Sequence, residues 1–314
     1  MRVVFLGTPE FAVPSLETLI QDPSVDVVAV ITQPDRKSGR GQRLTPPPVK
    51  VVAERYEIPC HQFQSLRKSP ESLTLMRSLS PDVAVVVAFG QILIREFFEI
   101  PRQGTVNVHA SILPFYRGAA PAAHAIWNGD SETGVTIMKI DEGMDTGDIL
   151  NMETLPIPNS MSTGELEVVL AQRGAELLMQ TLGGYVSGDI VPVAQDHSKA
   201  TLAPRIKKSD GRIDWTRTAD SLHNQVRAMN PWPGSFFTWK EVEVKFWKSA
   251  VEAGSGDSSV DPGQVVAAEG DNLLISCGKG SVLRALELQL PSRKRVSAKD
   301  FLNGTQLKQG DRFS

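Results

Sequence analysis

The sequence predicts an α/β protein, with a Rossmann-like, mostly parallel sheet in an N-terminal domain and a smaller C-terminal domain that is an OB-like β-barrel. Near-continuous apolar strands alternate with amphipathic helices in the first part of the chain, which is typical of a parallel sheet with crossover helices. Beyond residue 208, short strands follow one another with Gly, Asp and Ser turns, which is typical of a small barrel. The 314 residues suffice for two domains, which we place at 1–189 and 208–314, with a connecting segment at 190–207.

The N-terminal domain begins with a strand from Arg2 to Leu6, a single glycine at Gly7 and a helix from Val13 to Gln21. The glycines of a G-x-G-x-x-G fingerprint are absent after this strand, so we predict a Rossmann-like topology without NAD. Further helices are predicted at 48–57, 69–79, 121–128 and 162–185, and further strands at 25–32, 83–88, 105–108 and 135–140. The C-terminal strands are predicted at 242–247, 263–268, 273–277 and 282–289.

The loop from Gln33 to Lys50 combines basic side chains with glycines and three consecutive prolines. A loop of this length inside a compact domain is usually functional or disordered. Its charge suits contacts to phosphate, and its glycines permit a change of shape on binding. The alternative is a solvated, flexible loop with no function. The basic residues of the loop are Arg36, Lys37, Arg40, Arg43 and Lys50.

Two polar side chains lie at the end of the strand that finishes near residue 109. Asn107 and His109 are one residue apart, so on an extended backbone both point to the same side. Open α/β sheets bind their ligands at such strand ends. The next strand leads into a loop with several carboxylates, in which Asp145 is the natural partner for His109 because a carboxylate orients and stabilises a charged imidazole. Since no Ser or Cys nucleophile accompanies them, the three residues suggest direct acyl transfer; the alternative is a turn asparagine beside a hydrogen-bonded loop histidine.

Composition limits the remaining possibilities. No apolar run approaches the roughly 20 residues that span a bilayer, and the N-terminal segment is expected to be a buried strand, not a signal peptide. Cys60 and Cys277 are far apart and form no C-x-x-C pair, so we predict no disulfide and no metal site, and a cytoplasmic location. Residues 204–314 carry 17 basic and 13 acidic side chains, a net charge of +4, whereas residues 1–203 carry −7. This asymmetry suggests a polyanionic partner, although a random fluctuation explains it equally well.

The motifs resemble those of a known family. Residues 107–118 read N-V-H-A-S-I-L-P-F-Y-R-G, and residues 144–148 read M-D-T-G-D. Further matches are G-T-P-E-F at 7–11, T-Q-P-D-R-K-S-G-R-G at 32–41, R-I-D-W at 212–215 and N-P-W-P-G at 230–234. Together they extend over nearly the whole chain and resemble the 10-formyltetrahydrofolate-dependent formyltransferases.

This resemblance implies an enzyme whose catalytic residues are Asn107, His109 and Asp145, with 10-formyltetrahydrofolate as co-substrate, tetrahydrofolate as product and no metal. The implied acceptor is the α-amino group of methionyl initiator tRNA, formylated for translation initiation, and we expect a monomer. The folate contacts that it implies are Ser111, Ile112, Leu113, Pro114, Phe89, Gly90, Leu93 and Asp141. The implied tRNA contacts are Arg36, Arg40, Arg43 and Lys207.

Three other functions fit part of the sequence. A sugar-amine formyltransferase would share the catalytic residues and the folate site but has no use for an arginine-rich loop or a basic barrel. A folate hydrolase would admit water in place of an amine. An RNA-binding module without catalysis would explain the barrel and the loop but not the combination of Asn107, His109 and Asp145.

Overall fold

The computed structural model describes residues 1–38, 43–253 and 259–314. The strands are β1 (Arg2–Gly7), β2 (Asp26–Thr32), β3 (Arg36–Ser38), β4 (Arg43–Thr45), β5 (Cys60–Gln62), β6 (Val83–Val87), β7 (Thr105–His109), β8 (Arg117–Gly118), β9 (Glu132–Lys139), β10 (Ile149–Pro156), β11 (Leu202–Ala203), β12 (Ser235–Trp239), β13 (Val242–Val251), β14 (Val265–Glu269), β15 (Asn272–Ser276), β16 (Val282–Gln289) and β17 (Val296–Ser297). The α-helices are α1 (Val13–Gln21), α2 (Pro48–Arg55), α3 (Pro70–Leu79), α4 (Arg95–Phe98), α5 (Pro121–Asn128), α6 (Thr163–Ser187), α7 (Ala219–Ala228) and α8 (Ala298–Asn303). In these ranges, no helix is long and apolar enough to cross a bilayer.

The chain divides into two compact units. The first comprises Met1–Pro121, Thr133–Pro156 and Glu167–Ala203, and the second comprises Ala122–Glu132, Ile157–Leu166 and Pro204–Ser314. The domain limits given by the sequence stay a prediction. Part of the segment at 190–207 nevertheless bonds to the first unit, because Val193 and Ile149 exchange backbone hydrogen bonds of 2.8 Å and β11 pairs with β8. Residues 190–203 therefore belong to the first unit and do not only connect two domains.

A seven-stranded sheet forms the centre of the first unit, in the order β10-β9-β7-β6-β1-β2-β5. The strands from β5 to β7 in this order are parallel, and β9 runs antiparallel to β7. Residues 3–6 of β1 and 83–87 of β6 are buried, as expected for central strands that are covered on both faces, and this explains their continuous apolar sequence. The predicted Rossmann-like, mostly parallel sheet is confirmed.

The order of the strands reverses between β1 and β6. Open α/β sheets bind ligands at the carboxyl ends of the strands on either side of such a reversal. Here Thr8 Oγ1 and Gln33 Nε2 both donate to Phe89 O at 2.9 Å, so the segments that follow β1, β2 and β6 are tied together. β7 lies beside β6 and parallel to it, so Asn107 and His109, near its carboxyl end, lie at this same end of the sheet.

The second unit contains an antiparallel sheet in the order β12-β13-β16-β15-β14, with β17 paired to β16. The C-terminal tail joins its two outer strands, because Val265 N donates to Asp311 O at 2.8 Å and Ser314 N donates to Thr238 O at 2.9 Å. The tail thus covers edges that would otherwise expose unpaired backbone groups. The predicted smaller C-terminal β-domain is confirmed, and its sheet is antiparallel, but β12, α7, α8 and the role of the tail were not predicted.

The core of the second unit depends on the same tail. Phe313 is 2% exposed, and its ring stacks on Phe237 with 4.3 Å between centroids. The centroid of the Phe313 ring also lies 5.9 Å from that of Trp215, and the Trp215 ring contacts Phe237 edge-on. The C-terminal tail therefore pairs with the outer strands of the sheet and, through Phe313, also contributes a ring to the aromatic cluster.

We expect Phe313→Ala to lower the free energy of unfolding of the second unit by about 3–5 kcal/mol, the cost of truncating a buried phenylalanine. Urea denaturation followed by tryptophan fluorescence measures the change. Arg312→Ala is the matched control, because this neighbouring side chain is 63% exposed and should leave the transition nearly unchanged. Equal losses in both variants would show that the ring does not anchor the core.

Candidate functional site

The end of β7 presents Asn107 and His109 on one side of the sheet. Val108 points to the other side, where helix α6 approaches so closely that a Cβ added at Gly174 would lie 2.8 Å from Val108 Cγ1. Because side chains alternate along a strand, the packing of Val108 against α6 directs Asn107 and His109 to the opposite face. Within the described ranges, the Asn107 side chain has no hydrogen-bond partner and is only partly buried. Its amide is therefore available to a ligand.

The imidazole of His109 lies between two oxygen acceptors. Its Nε2 is 3.0 Å from Tyr116 O, and its Nδ1 is 3.7 Å from Asp145 Oδ2. The second distance is too long for a hydrogen bond but short enough for an ion pair with a protonated ring. The side chains are 7% and 20% exposed, so bulk water screens the contact weakly. The structure therefore brings together the histidine and the aspartate that the sequence predicted as partners.

Asp145 is held by its own loop and by β8. Its Oδ2 accepts a hydrogen bond of 2.8 Å from Gly118 N, and its backbone is left-handed, with φ of 54°. Earlier in the loop, Asp141 Oδ1 accepts hydrogen bonds from Gly143 N at 3.1 Å and Thr146 Oγ1 at 2.6 Å. The predicted folate residue Asp141 thus stabilises the loop, with its side chain exposed.

The segment 111–114 is fixed from β9. Thr136 Oγ1 donates to Ser111 O at 2.6 Å and accepts from Leu113 N at 3.2 Å. Ser111 is completely buried and its hydroxyl donates to Phe115 O at 2.6 Å, and Leu113 is 2% exposed. Ser111 and Leu113 therefore offer a ligand backbone atoms only, whereas the side chains of Ile112 and Pro114 are partly exposed.

The other predicted folate residues follow β6. Phe89 is 2% exposed, and its carbonyl already accepts hydrogen bonds from Thr8 and Gln33. Leu93 is partly buried against the core that contains Phe89, while Gly90 is exposed. Of these three residues, Gly90 has the most accessible surface for a ligand.

The predicted tRNA residues lie at exposed positions where the structure describes them. β3 and β4 pair as an antiparallel hairpin within the region predicted as an irregular loop, and Arg36 and Arg43 on these strands are exposed. Lys207, in the second unit, is also exposed. Arg40 lies outside the described residues. Lys50 is engaged with Asp35 at 2.9 Å, so it is not a free cation.

The described ranges contain no group of three or more His, Cys, Asp or Glu side chains that could hold a metal ion. Both cysteines are free thiols, and burial raises the pKa of Cys277 to about 12. This thiol is therefore protonated at neutral pH and unsuited to nucleophilic attack.

Several residues near the site were not predicted from the sequence. Gln195 and Arg117 are buried behind the Asp145 loop, and Thr136 orders the segment 111–114. Gln195 belongs to an irregular polar stretch with no periodicity, so no sequence signal marked it. Arg117 did occur in the quoted motif, but only as part of the resemblance.

Known proteins resemble this chain in sequence and in fold. Residues 1–182 match the family model described as formyl transferase, and residues 205–306 match the model of its C-terminal domain. A methionyl-tRNA formyltransferase of Citrifermentans bemidjiense is 48% identical over 99% of this chain and 95% of its own length. One from Clostridium perfringens is 41% identical over 99% of both chains.

Solved structures with a similar fold include two proteins named as N-formyl transferases. A sugar 3N-formyl transferase has a TM-score of 0.66 at 20% identity, covering 94% of this chain and 99% of its own. An N-formyltransferase from Helicobacter canadensis has a TM-score of 0.65 at 21% identity, covering 90% and 98%. At such identities the likeness concerns the fold alone. The match of both family models and the identity to full-length relatives confirm the resemblance carried by the sequence motifs: the chain belongs to the formyl transferase family.

Proposed function

We propose that this protein transfers the formyl group of 10-formyltetrahydrofolate to the α-amino group of methionyl initiator tRNA, giving N-formylmethionyl-tRNA for translation initiation. The observation that carries the proposal is the approach of Asp145 to His109 at the carboxyl end of β7. It occurs in a chain that is 48% identical, over 99% of its length, to a protein named methionyl-tRNA formyltransferase. Two structural neighbours were solved with 5-N-formyl-THF and with folinic acid, which supports a folate donor.

The reaction defines what the protein must supply. The folate would provide a formyl carbon bonded to N10. The lone pair of the amine forms a bond to that carbon, the bond to N10 breaks, the amine loses one proton and N10 gains one. Negative charge develops on the formyl oxygen during the transfer, so the site needs hydrogen-bond donors for this oxygen and an acceptor for the proton.

Asn107 and His109 suit the donor role. Each donor aimed at a developing oxyanion contributes ~3–4 kcal/mol to lowering the barrier. The amide of Asn107 has no protein partner among the described residues, so it can turn to a substrate oxygen without losing a bond. His109 Nε2 faces Tyr116 O at 3.0 Å, so a formyl oxygen that uses this nitrogen has to compete with the carbonyl.

Asp145 suits two roles. Its negative charge, 3.7 Å from Nδ1, stabilises a protonated His109, and such a ring can donate from both nitrogens. One of its carboxylate oxygens is already engaged by Gly118 N, and the other can accept the amine proton through a water. The proton then reaches solvent or N10 without a metal ion.

The loops around the site suit the flat, partly apolar ring system of a folate. Ile92 is 81% exposed in the segment after β6, and Met144 is 57% exposed in the Asp145 loop. Large exposed apolar side chains on two such loops are typical of a ligand surface. The partly exposed Ile112 and Pro114 and the exposed Gly90 would add to the same contact.

The tRNA acceptor rests on different observations. Arg36 and Arg43 form an exposed basic hairpin in the first unit, and Lys207 is exposed in the second. The net charge of +4 in residues 204–314 supports a polyanionic partner. A sugar-amine acceptor, the main alternative, gives no use to the basic hairpin or to a positive charge on the C-terminal domain.

The first test of this function is substitution at the three residues. Asn107→Ala, His109→Ala and Asp145→Ala should each lower kcat for formylation of methionyl-tRNA by about 10²–10³-fold, the usual cost of removing a transition-state contact. Folding and tRNA affinity should be largely retained, because Asn107 and Asp145 are only partly buried and none of the three side chains is apolar. His61→Ala on β5 is the matched control and should retain kcat. Turnover of His109→Ala near that of the parent protein would contradict the mechanism.

The second test concerns the basic hairpin. Arg43→Ala should weaken tRNA binding and make the slope of log affinity against log salt shallower by about one, since one phosphate contact is lost. Arg102→Ala is the control. Arg102 is an exposed arginine on the segment that precedes β7, so it lies at the amino end of that strand, away from the site. Filter-binding titrations from low to high salt measure both slopes. Identical slopes for the parent protein and Arg43→Ala would show that this arginine does not contact the RNA.

A further inference from the structure

A buried side-chain network lies behind the Asp145 loop and has no part in the function proposed above. Gln195 and Arg117 are each 6% exposed. Gln195 Nε2 donates to Asp145 O at 2.9 Å and to Gly147 O at 2.7 Å. Gln195 Oε1 accepts from Arg117 Nε at 3.2 Å and from Arg117 Nη2 at 2.6 Å. The amide thus connects the aspartate loop to β8.

The chemistry of these groups allows one orientation of the amide. Arginine only donates hydrogen bonds, so the group of Gln195 that faces Arg117 must be its oxygen. Backbone carbonyls only accept, so the group that faces Asp145 and Gly147 must be the NH₂. A reversed amide would place oxygen against two oxygens and NH₂ against a guanidinium, with four unfavourable contacts in a buried site.

Arg117 itself is held by side-chain acceptors. Its Nη2 lies 2.9 Å from His197 Nδ1, which accepts from the guanidinium because arginine can only donate. Among the described residues, no carboxylate forms an ion pair with Arg117. Its charge-assisted hydrogen bonds to Gln195 are accordingly stronger than neutral ones and hold the amide in place.

The bonds from Gln195 act where the loop needs support. Asp145 adopts φ of 54°, a left-handed conformation that costs energy for a residue with a side chain. Gln195 holds the carbonyl of Asp145, while Gly118 N holds its carboxylate at 2.8 Å. Arg117 and Gly118 are adjacent on β8, so this short strand restrains Asp145 directly through Gly118 and indirectly through the bonds from Arg117 to Gln195.

β8 is in turn fixed by the segment that carries Gln195. β8 pairs in parallel with β11, and Arg117 N donates to Thr201 O at 2.9 Å. Gly147, the second residue bonded by Gln195, has no room for a Cβ because Lys139 O lies against it. The aspartate loop is therefore enclosed between the end of β9 and the Gln195 amide.

We propose that Gln195 is a positioning residue for formyl transfer, which holds the backbone of Asp145 so that its carboxylate stays beside His109. The inference rests on the proposed function, because it assigns to Gln195 an effect on a step that Asp145 performs. Arg117 serves the same end by fixing the orientation of the Gln195 amide. Neither residue touches substrate.

The test replaces Gln195 by methionine, which keeps the length of the side chain but removes both donors and the acceptor. Gln195→Met should lower kcat about 100-fold, the effect of displacing a catalytic group by about 1 Å, with KM for methionyl-tRNA unchanged. Gln195→Glu is the second variant, since it retains the acceptor for Arg117 and the volume but presents oxygen to both carbonyls. It should show the same loss even if Gln195→Met folds poorly.

A double-substitution cycle separates positioning from a general loss of stability. In an Asp145→Asn background, where the aspartate no longer acts, Gln195→Met should change kcat by no more than about 2-fold, because residues that act as a unit are not additive. Gln225→Met is the matched control. Gln225 is also buried, and its Nε2 also donates to two carbonyls, Asp210 O and Arg212 O at 2.8 Å, but in the second unit. It should lower stability and leave kcat unchanged.

A second readout does not depend on activity. Gly118 N donates to Asp145 Oδ2, so its amide hydrogen should exchange faster in Gln195→Met, as it should in Asp145→Ala, where the acceptor is absent. The inference would be overturned if the kcat losses of Gln195→Met and Asp145→Asn multiply in the double variant. It would also be overturned if the amide hydrogen of Gly118 exchanges at the same rate in Gln195→Met as in the parent protein. A parent protein that fails to formylate methionyl-tRNA would instead overturn the proposed function, and the exchange experiment would still decide whether Gln195 positions Asp145.

Discussion

The site depends on one constraint: a carboxylate has to remain beside a buried imidazole. Asp145 Oδ2 lies 3.7 Å from His109 Nδ1 and 2.8 Å from Gly118 N, so a single oxygen links a strand end, a loop and a backbone amide. Charges in such a weakly solvated place interact more strongly than on the surface, and each would be costly to bury alone. The pair is therefore stable only if the fold brings both partners to the same point.

Several parts of the fold meet that requirement. β7 is flanked by β6 and β9, and α6 approaches its other face at Gly174, which leaves Asn107 and His109 one direction in which to point. Thr136 on β9 fixes the segment after β7, and β8 with β11 presents Gly118 to the carboxylate. The loops that remain exposed around this rigid frame carry Ile92 and Met144, where a substrate can be contacted.

The parts that could be predicted from the sequence are those in which the signal is local. β1, β6 and the second half of β2 are buried, so their apolar runs are continuous, and the spacing of Asn107 and His109 follows from alternation along β7. Gln195 could not be predicted, because its partners, Asp145 and Arg117, are 50 and 78 residues away and the bonds to the loop involve backbone atoms of any sequence. The β3–β4 hairpin was missed for another reason: its residues are basic and exposed, and strand prediction relies on apolar alternation. The folate, tRNA and catalytic assignments of individual residues stay predictions.

If this site formylates an aminoacyl-tRNA, the choice of acceptor should reveal it. The protein would be incubated with 10-formyltetrahydrofolate and either initiator methionyl-tRNA or a UDP-amino sugar, and formyl transfer and free formate would be quantified. We expect transfer to methionyl-tRNA, no detectable transfer to the sugar amine and no formate release without acceptor. Preferential transfer to the sugar amine, or formate release that is independent of any amine, would contradict it.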